Sequence, residues 1–419
     1  MRFVDLPLSS PAKIRDLTFE EWGRGRVVSL DLAEARILRN HKDALRCDAV
    51  GPDRYRIGPV PGFVGSIRLS ARTTLVVTPR LPIDSFAALL SLAYDEMPIP
   101  TRSDKASVSQ GDLSSWCISQ IVAEAQRLCR HHLRPDYVEV EDRRTSPRGK
   151  LIFDGLSPDY RGGIRCKTDD FTYDTELNRF IKAGLLQVSK CSVAAPWRPA
   201  ISRLLADLNS ITAVLPTTFS PRRLSSALFA RYRPLATLIN LALMNQGSEF
   251  DTGALDVSAF FFRLHELFER AVCNAFRRVT AASLAISQPQ DRTTATLVRG
   301  SPHLGITFKP DVAIKQPTVG IKSSKGAWLL VVDAKYRDPI AAGRFRASFR
   351  NDNIYQIMAY CRVFNAPGLL LYPRVDQDVD ISYKIGDTRF SIRTIDLQCN
   401  NLAEEFERRA REALSECRS

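Results

Sequence analysis

The sequence lacks the patterns of several common classes of protein. None of its nine cysteines forms a C-x-x-C pair, and their odd number and largely apolar surroundings predict reduced core thiols in a cytosolic protein. The five histidines show no zinc-site spacing. No apolar run reaches the roughly 18 residues that a membrane-spanning helix needs, and the first residues do not resemble a signal peptide. We therefore expect a cytoplasmic protein without a membrane partner.

A nucleotide-binding loop is also missing. The nearest approach, G-G-I-R-C-K-T at residues 162–168, lacks the glycine before lysine and the spacing that lets backbone amides surround a phosphate. If the protein needs a motor, another chain must supply it.

The length and charge of the chain indicate its organisation and its partners. A chain of 419 residues predicts two or three domains. Its net charge of +13 and pI near 9.4 predict attraction to a polyanion, either nucleic acid or an acidic protein surface.

The distribution of strand and helix patterns predicts an α+β or α/β fold with three regions. Residues 1–100 contain short alternating segments and Gly/Pro turns, which indicate a β-rich, barrel-like domain. Residues 101–250 predict a mostly helical connecting region. Residues 251–419 predict a mixed sheet flanked by helices.

The most informative pattern is Pro310-Asp311 followed by an apolar run that ends in Asp333-x-Lys335. Alternation along a strand places Asp333 and Lys335 on one face, and the turn-rich connection at 315–326 lets Asp311 return beside them. Carboxylate oxygens of this kind hold Mg²⁺, and a neighbouring lysine can assist phosphodiester hydrolysis. The other interpretation is a plain surface ion pair, because so short a pattern also occurs by chance.

The segments that follow favour the first interpretation. Residues 351–360 predict a helix with Asp352 as its N-cap, and residues 368–373 predict a short apolar strand. This order of elements, with Gln356 and Tyr360 as Q-x-x-x-Y, resembles the PD-(D/E)xK nucleases. The resemblance implies that Gln356 orients a substrate phosphate or a water molecule. Without the neighbouring motifs, Gln356 is equally well interpreted as a glutamine on the helix surface.

An amphipathic helix precedes the motif and carries Glu266 and Glu269. Related nucleases have a helical glutamate at this place that completes the metal site or polarises water. We favour Glu269 for this role, although both side chains could simply be solvated.

Three arginines, Arg344, Arg346 and Arg350, alternate with Phe345 and Phe349 after the D-x-K strand. They could bind a DNA backbone, or they could belong to a solvated loop.

Several motifs in a fixed order resemble the McrC family across residues 60–375. They are Pro147-Arg148-Gly149-Lys150, then Asp174, Leu177, Asn178, Arg179 and Lys182, then Arg231-Tyr232-Arg233-Pro234-Leu235, then Leu267-Phe268-Glu269, and finally the nuclease core. The resemblance implies the endonuclease subunit of a McrBC-type restriction system, in which Asp311, Asp333 and Lys335 are catalytic.

The same resemblance implies the partners of the chain. They are double-stranded DNA with modified cytosine and a hexameric McrB-like AAA+ GTPase, whose hydrolysis the N-terminal domain stimulates. Arg68 and Arg80 are candidates for that stimulation, although either could be an ordinary surface residue. Two alternatives stay open: a repair nuclease with a helicase partner, and a non-catalytic subunit that activates a GTPase.

Overall fold

The protein is described by a computed structural model, which covers residues 15–70, 72–94, 113–152, 163–214, 227–245, 259–280, 285–287, 293–294, 307–315, 328–341 and 348–417. These residues form two compact units. One unit combines the chain up to Leu113 with the chain from Phe261 onward, and the other runs from Ser114 to Phe260. The three domains predicted from the sequence stay a prediction, and the first and third of them contribute to the same compact unit.

The N-terminal part of the first unit is rich in strands. Its elements are β1 (Arg15–Glu20), β2 (Arg26–Ser29), α1 (Leu32–Asn40), β3 (Leu45–Gly51), β4 (Arg54–Pro59), β5 (Phe63–Arg68), β6 (Thr73–Thr78) and α2 (Ile83–Tyr94). β6 pairs in parallel with β1 and antiparallel with β5, and β4 lies between β2 and β3. Both sheets are open over the residues that the structure covers, because their outer strands do not pair with one another. The β-rich prediction is confirmed, but barrel-like closure is not.

The second unit combines helices with one antiparallel sheet. Its elements are α3 (Leu113–Arg130), β7 (Asp136–Arg144), β8 (Lys150–Leu151), β9 (Ile164–Thr172), α4 (Glu176–Lys190), α5 (Arg198–Asp207) and α6 (Arg233–Asn245), with 3-10 turns at Ser192–Trp197 and Ala227–Tyr232. β9 pairs with β7 on one side and β8 on the other. The buried Asn178 donates to the carbonyls of Arg134 and Tyr173 and accepts from the hydroxyl of Tyr232, which ties α4 to its neighbours.

The C-terminal part of the first unit is built on a six-stranded mixed sheet. Its elements are β10 (Ala259–Arg263), α7 (Leu264–Val279), β11 (Ala285–Ser287), β12 (Thr293–Thr294), β13 (Thr307–Phe308), β14 (Val312–Lys315), β15 (Trp328–Ala334), β16 (Ile340–Ala341), β17 (Ser348–Phe349), α8 (Asn351–Phe364), β18 (Gly368–Pro373), β19 (Asp380–Ile385), β20 (Thr388–Ile395) and α9 (Leu402–Glu416). The strand order is β11-β14-β15-β18-β20-β19, and β10 joins the sheet of β1, β6 and β5. The sheets and their flanking helices confirm the predicted α+β class.

Close packing of α8 on β18 fixes the centre of this sheet. The helix ends where Asn365 adopts a left-handed conformation (φ 49°), and Pro367 follows. A Cβ atom on Gly368 would lie 2.5 Å from Sγ of Cys361, so only glycine permits this approach. Ile357 and Leu370 are buried in the resulting core.

No helix in the covered ranges is both long and apolar enough to cross a membrane.

Candidate active site

Strand pairing brings the two aspartates of the predicted motif together. β14 and β15 are antiparallel with Val312 opposite Val332, so Asp311 and Asp333 follow at the next pair of positions. Oδ2 of Asp311 accepts a hydrogen bond of 2.7 Å from the backbone N–H of Ala334. Asp333 is only 1% exposed, because β15 is buried between β14 and β18.

Lys335 lies beside Asp333 on the same face of the chain. Its Nζ donates to Oδ1 of Asp333 over 3.1 Å and lies 3.0 Å from Oδ2. Its backbone N–H donates to the carbonyl of Leu371 over 2.9 Å, which continues the pairing with β18. The Lys335 side chain is 22% exposed, so the ammonium can contact a substrate while its carboxylate partner stays buried.

The two helical glutamates have different surroundings. Glu266 is half-exposed and forms an ion pair of 3.0 Å with Arg263. Glu269 is more buried, and burial raises the pKa of its carboxyl, while Lys335 lowers it and Asp333 raises it. The charges of Lys335 and Asp333 therefore act on Glu269, while its role in the site stays a prediction.

The site holds more negative than positive charge. Burial raises the pKa of Asp311 to about 7, and the charges of Asp333 and Glu269 add to the effect. Burial also raises the pKa of Asp333, although Lys335 and Arg337 oppose this. Three carboxyl groups thus lie near Lys335, with smaller effects from Lys309 on Glu269 and from Arg337 on Asp333, and a divalent cation would relieve their mutual repulsion.

The donor set fits a Mg²⁺ site that uses two carboxylates. Oδ2 of Asp333 is buried, and its contact in the covered part of the chain is the 3.0 Å ion pair with Lys335, without a geometrically formed hydrogen bond. No group of three His, Cys, Asp or Glu side chains in that part is placed to hold a metal by itself. Mg²⁺ commonly takes one or two carboxylates and completes its shell with water and substrate phosphate, which Asp311 and Asp333 allow. The predicted metal role of Glu269 stays a prediction.

Gln356 and Tyr360 form a hydrogen-bonded pair on α8. Nε2 of Gln356 donates to the hydroxyl of Tyr360 over 2.9 Å, and that hydroxyl donates to the carbonyl of Lys309 over 3.1 Å. Burial raises the pKa of Tyr360, and the charges of Asp333 and Lys335 also influence it. The Q-x-x-x-Y element therefore connects α8 to the segment that carries Asp311.

Arg337 and Asn353 are features that the sequence analysis missed. Arg337 forms an ion pair of 2.9 Å with Asp352 and donates to Oδ1 of Asn353, whose Nδ2 donates to the hydroxyl of Tyr372 over 2.7 Å. The prediction that Asp352 is the N-cap of α8 is therefore wrong. Arg350 occupies the N-cap position, and Asp352 lies in the first turn of the helix. Two-residue alternation from Asp333 and Lys335 to Arg337 is the signal that could have identified this arginine.

The predicted DNA-binding arginines are only partly covered. Arg344 and Arg346 lie outside the described residues. Nε of Arg350 donates to the carbonyl of Asp338 over 3.1 Å, so this side chain also supports the local backbone.

Two solved structures that resemble this chain contain proteins of Thermococcus gammatolerans. A chain of the "Refined half-complex from tetradecameric assembly of Thermococcus gammatolerans McrB AAA+ hexamers with bound McrC" has a TM-score of 0.57 and 16% identity, over 95% of this chain and 99% of that chain. A chain of the "Cryo-EM structure of the Thermococcus gammatolerans McrBC complex" has a TM-score of 0.43 and 19% identity, over 64% and 88%. The first of these establishes a likeness of fold. No curated protein sequence matches the chain.

Family membership follows from a sequence profile that covers more than half of the chain. The profile described as "McrBC 5-methylcytosine restriction system component" matches residues 60–373, a range that includes Asp311, Asp333 and Lys335. This chain belongs to the McrBC family of 5-methylcytosine restriction system components.

Proposed function

We propose that the chain is the DNA endonuclease subunit of a modification-dependent restriction complex. It hydrolyses phosphodiester bonds in DNA that carries modified cytosine, requires Mg²⁺, and works with an AAA+ GTPase. The observation that carries the proposal is the register of β14 and β15, which sets Asp311 beside Asp333 while Lys335 contacts the second carboxylate.

Each residue has a role in this proposal that follows from its surroundings. Asp311 and Asp333 hold the cation, and Glu269 completes its shell or polarises the attacking water. The ammonium of Lys335 orients that water or stabilises the negative charge that develops on the phosphate. When bound, Mg²⁺ supplies Lewis-acid stabilisation of a phosphoryl oxygen and a more acidic water.

Gln356 and the arginines serve the substrate. The amide of Gln356 is half-buried beside the motif and can orient a phosphate once its bond to Tyr360 is exchanged or shared. Arg344, Arg346 and Arg350 contribute positive charge along the DNA backbone, in keeping with the net charge of +13.

The partner is proposed from two observations. The sequence contains no nucleotide-binding loop, so the chain needs an external motor if it is to translocate DNA. The solved chain that matches this one with a TM-score of 0.57 belongs to an assembly of McrB AAA+ hexamers with bound McrC. An McrB-like AAA+ hexamer is therefore the partner to test, with GTP and ATP compared directly.

The test is cleavage of methylated and unmethylated plasmid by the chain with its AAA+ partner, Mg²⁺ and nucleotide. We expect cleavage of methylated DNA that Asp333→Ala and Lys335→Ala abolish, while stimulation of the partner's GTP hydrolysis is retained. Lys315→Met is the matched control for Lys335, because Lys315 lies on the adjacent strand and stacks on Trp328 at 4.3 Å.

A second pair of variants tests the helical glutamate. Glu269→Gln should lower the cleavage rate by at least about tenfold, which corresponds to the loss of roughly 1.4 kcal/mol of transition-state stabilisation. Glu266→Gln, about one turn away on the same helix, should cleave like the wild type, because its carboxylate is half-exposed and pairs with Arg263.

The alternatives give different results in the same assay. Cleavage independent of methylation and dependent on a helicase would favour a repair nuclease. No cleavage, with GTP hydrolysis stimulated equally by wild type and Lys335→Ala, would leave a non-catalytic activating subunit.

A further inference from the structure

A buried glutamate from the N-terminal part of the chain lies directly behind the catalytic motif. Glu21 follows β1 and is 1% exposed. Its Oε1 accepts from the backbone N–H of Gly62 over 3.2 Å, and its Oε2 accepts from the hydroxyl of Tyr336 over 3.3 Å. Burial raises the pKa of Glu21 to about 7, although backbone N–H groups of Arg80 and Gly62 and the Tyr336 hydroxyl donate to it and oppose the rise.

Tyr336 occupies the turn that ends the catalytic strand. The N–H of Arg337 donates to the carbonyl of Lys335 over 2.9 Å, which closes a three-residue turn with Tyr336 at its centre. The side-chain position of Tyr336 and the backbone direction at Lys335 are therefore linked. A displacement of the Tyr336 backbone would therefore also displace Lys335, which contacts Asp333.

Two aromatic contacts hold the ring of Tyr336 against other parts of the same unit. Its centroid lies 5.6 Å from the ring of Trp22 and 5.8 Å from that of Phe268. Phe268 immediately precedes Glu269 on α7. Tyr336 thus contacts α7, the helix that carries Glu269, and also lies in the turn that follows Lys335.

The residue after Glu21 adopts a conformation that needs support from its surroundings. Trp22 has a φ of 64°, in the left-handed region that residues other than glycine seldom adopt. The guanidinium of Arg80 lies 5.7 Å from the centroid of its ring. Arg80, considered from the sequence as a residue that stimulates the partner, thereby helps to hold Trp22 next to Tyr336.

We propose that Glu21 is a positioning residue of the nuclease site, which acts through the Tyr336 hydroxyl to fix Lys335 beside Asp333. This inference rests on the proposed nuclease function. It differs from a purely packing role, because it assigns the effect to one hydrogen bond and not to the volume of either side chain.

The experiment compares Tyr336→Phe, Glu21→Ala, Glu21→Gln and the double variant Glu21→Ala/Tyr336→Phe in single-turnover cleavage, with DNA affinity measured separately. Tyr336→Phe keeps both ring contacts and loses only the hydroxyl. We expect it to cleave about tenfold more slowly with unchanged DNA affinity, within the ~100-fold that a displacement of roughly 1 Å can cost.

The glutamate variants test whether the effect passes through the hydrogen bond. Glu21→Ala should slow cleavage to a similar degree, and the double variant should be no slower than either single variant, because both changes break one link. Glu21→Gln should recover most of the rate, since its amide can still accept from Gly62 and donate to the Tyr336 oxygen.

Two controls separate the outcomes. Thr394→Val removes a buried hydroxyl that bonds Asp378 and Val379 in the same unit, and it should lower the melting temperature without slowing cleavage. Lys335→Ala sets the background rate.

If Lys335→Ala is inactive but Tyr336→Phe and Glu21→Ala cleave like the wild type, the positioning role is wrong and the nuclease function stands. If Tyr336→Phe and Thr394→Val slow cleavage equally, the role is structural. If wild type does not exceed the Lys335→Ala background, the proposed function fails, and the positioning role fails with it.

Discussion

Two charge clusters in the same compact unit differ in whether each buried charge has a partner of opposite sign, and we call a cluster matched where it does. Between β19, β20 and α9, the nearly buried Arg393 and Arg409 meet several carboxylates at ion-pair distance. These carboxylates belong to Asp378, Asp380, Glu405, Glu412 and Glu416. At the candidate site, Asp311, Asp333 and Glu269 share mainly Lys335.

The pKa directions in the two clusters are opposite. A hydrogen bond from Thr394 and the charge of Arg409 lower the pKa of Asp378, so ionisation of that carboxyl favours the folded state. Burial raises the pKa of Asp311 to about 7, so its ionisation opposes folding. Buried charges that each have a partner are elements of structure, whereas buried carboxyls that share one nearby cation indicate a site for a cationic ligand.

The largest expected effect comes from removing one of the unmatched charges. Asp311→Asn should lower the cleavage rate by at least about 100-fold, because several kcal/mol of metal-dependent stabilisation is lost. It should leave the free energy of unfolding at pH 8 without metal equal to or above that of the wild type. The amide oxygen can still accept from the N–H of Ala334, and one unpaired negative charge is gone.

Thermal unfolding with and without Mg²⁺ checks the same variant. The wild type should gain melting temperature when Mg²⁺ is added, because the ion binds the folded state, and Asp311→Asn should gain less. A variant that is clearly less stable than the wild type in EDTA would show that Asp311 is a structural charge like those of α9.

Glu21 provides an intermediate case, a buried acid held mainly by neutral donors. Its folded pKa of about 7 lies above the ordinary 4.5, so its stabilising contribution is complete below about pH 4.5 and is lost as the pH rises through 7. Because a shift of one pKa unit corresponds to about 1.4 kcal/mol, the free energy of unfolding should fall by roughly 3 kcal/mol over this pH range.

Denaturant unfolding of wild type and Glu21→Gln between about pH 4 and about pH 8 measures this contribution. Other raised carboxyls titrate in both proteins, so the difference between them isolates Glu21. The free energy of unfolding of Glu21→Gln should increase relative to that of the wild type as the pH rises. Parallel curves would mean that the carboxyl ionises as freely as in the unfolded chain.

How much of the site the sequence predicts depends on how local its contacts are. Alternation along one strand and a turn-rich connection were enough to group Asp311, Asp333 and Lys335, because both are short-range properties. The contact between Glu21 and Tyr336 joins residues 315 positions apart, and no periodicity encodes it. Asp352 shows a further limit, since a good capping residue is instead paired with Arg337, which arrives from another loop.

The smallest expected effect concerns the matched cluster. Arg409→Met should lower the free energy of unfolding by roughly 2 kcal/mol, less than for a fully buried pair, because its partners Asp378 and Asp380 are about half exposed and water can solvate them. The matched control is Arg411→Met, on the same helix, whose exposed ion pair with Glu407 should contribute under about 0.5 kcal/mol.

Cleavage measured below the melting temperature decides what this cluster is for. With folded protein in excess, Arg409→Met should cleave methylated DNA at the wild-type rate, because its charges are satisfied within the fold and none is left for a substrate. A selective loss of cleavage at unchanged stability would give the matched cluster a role in DNA binding, and charge matching would then no longer distinguish structural from functional charge in this protein.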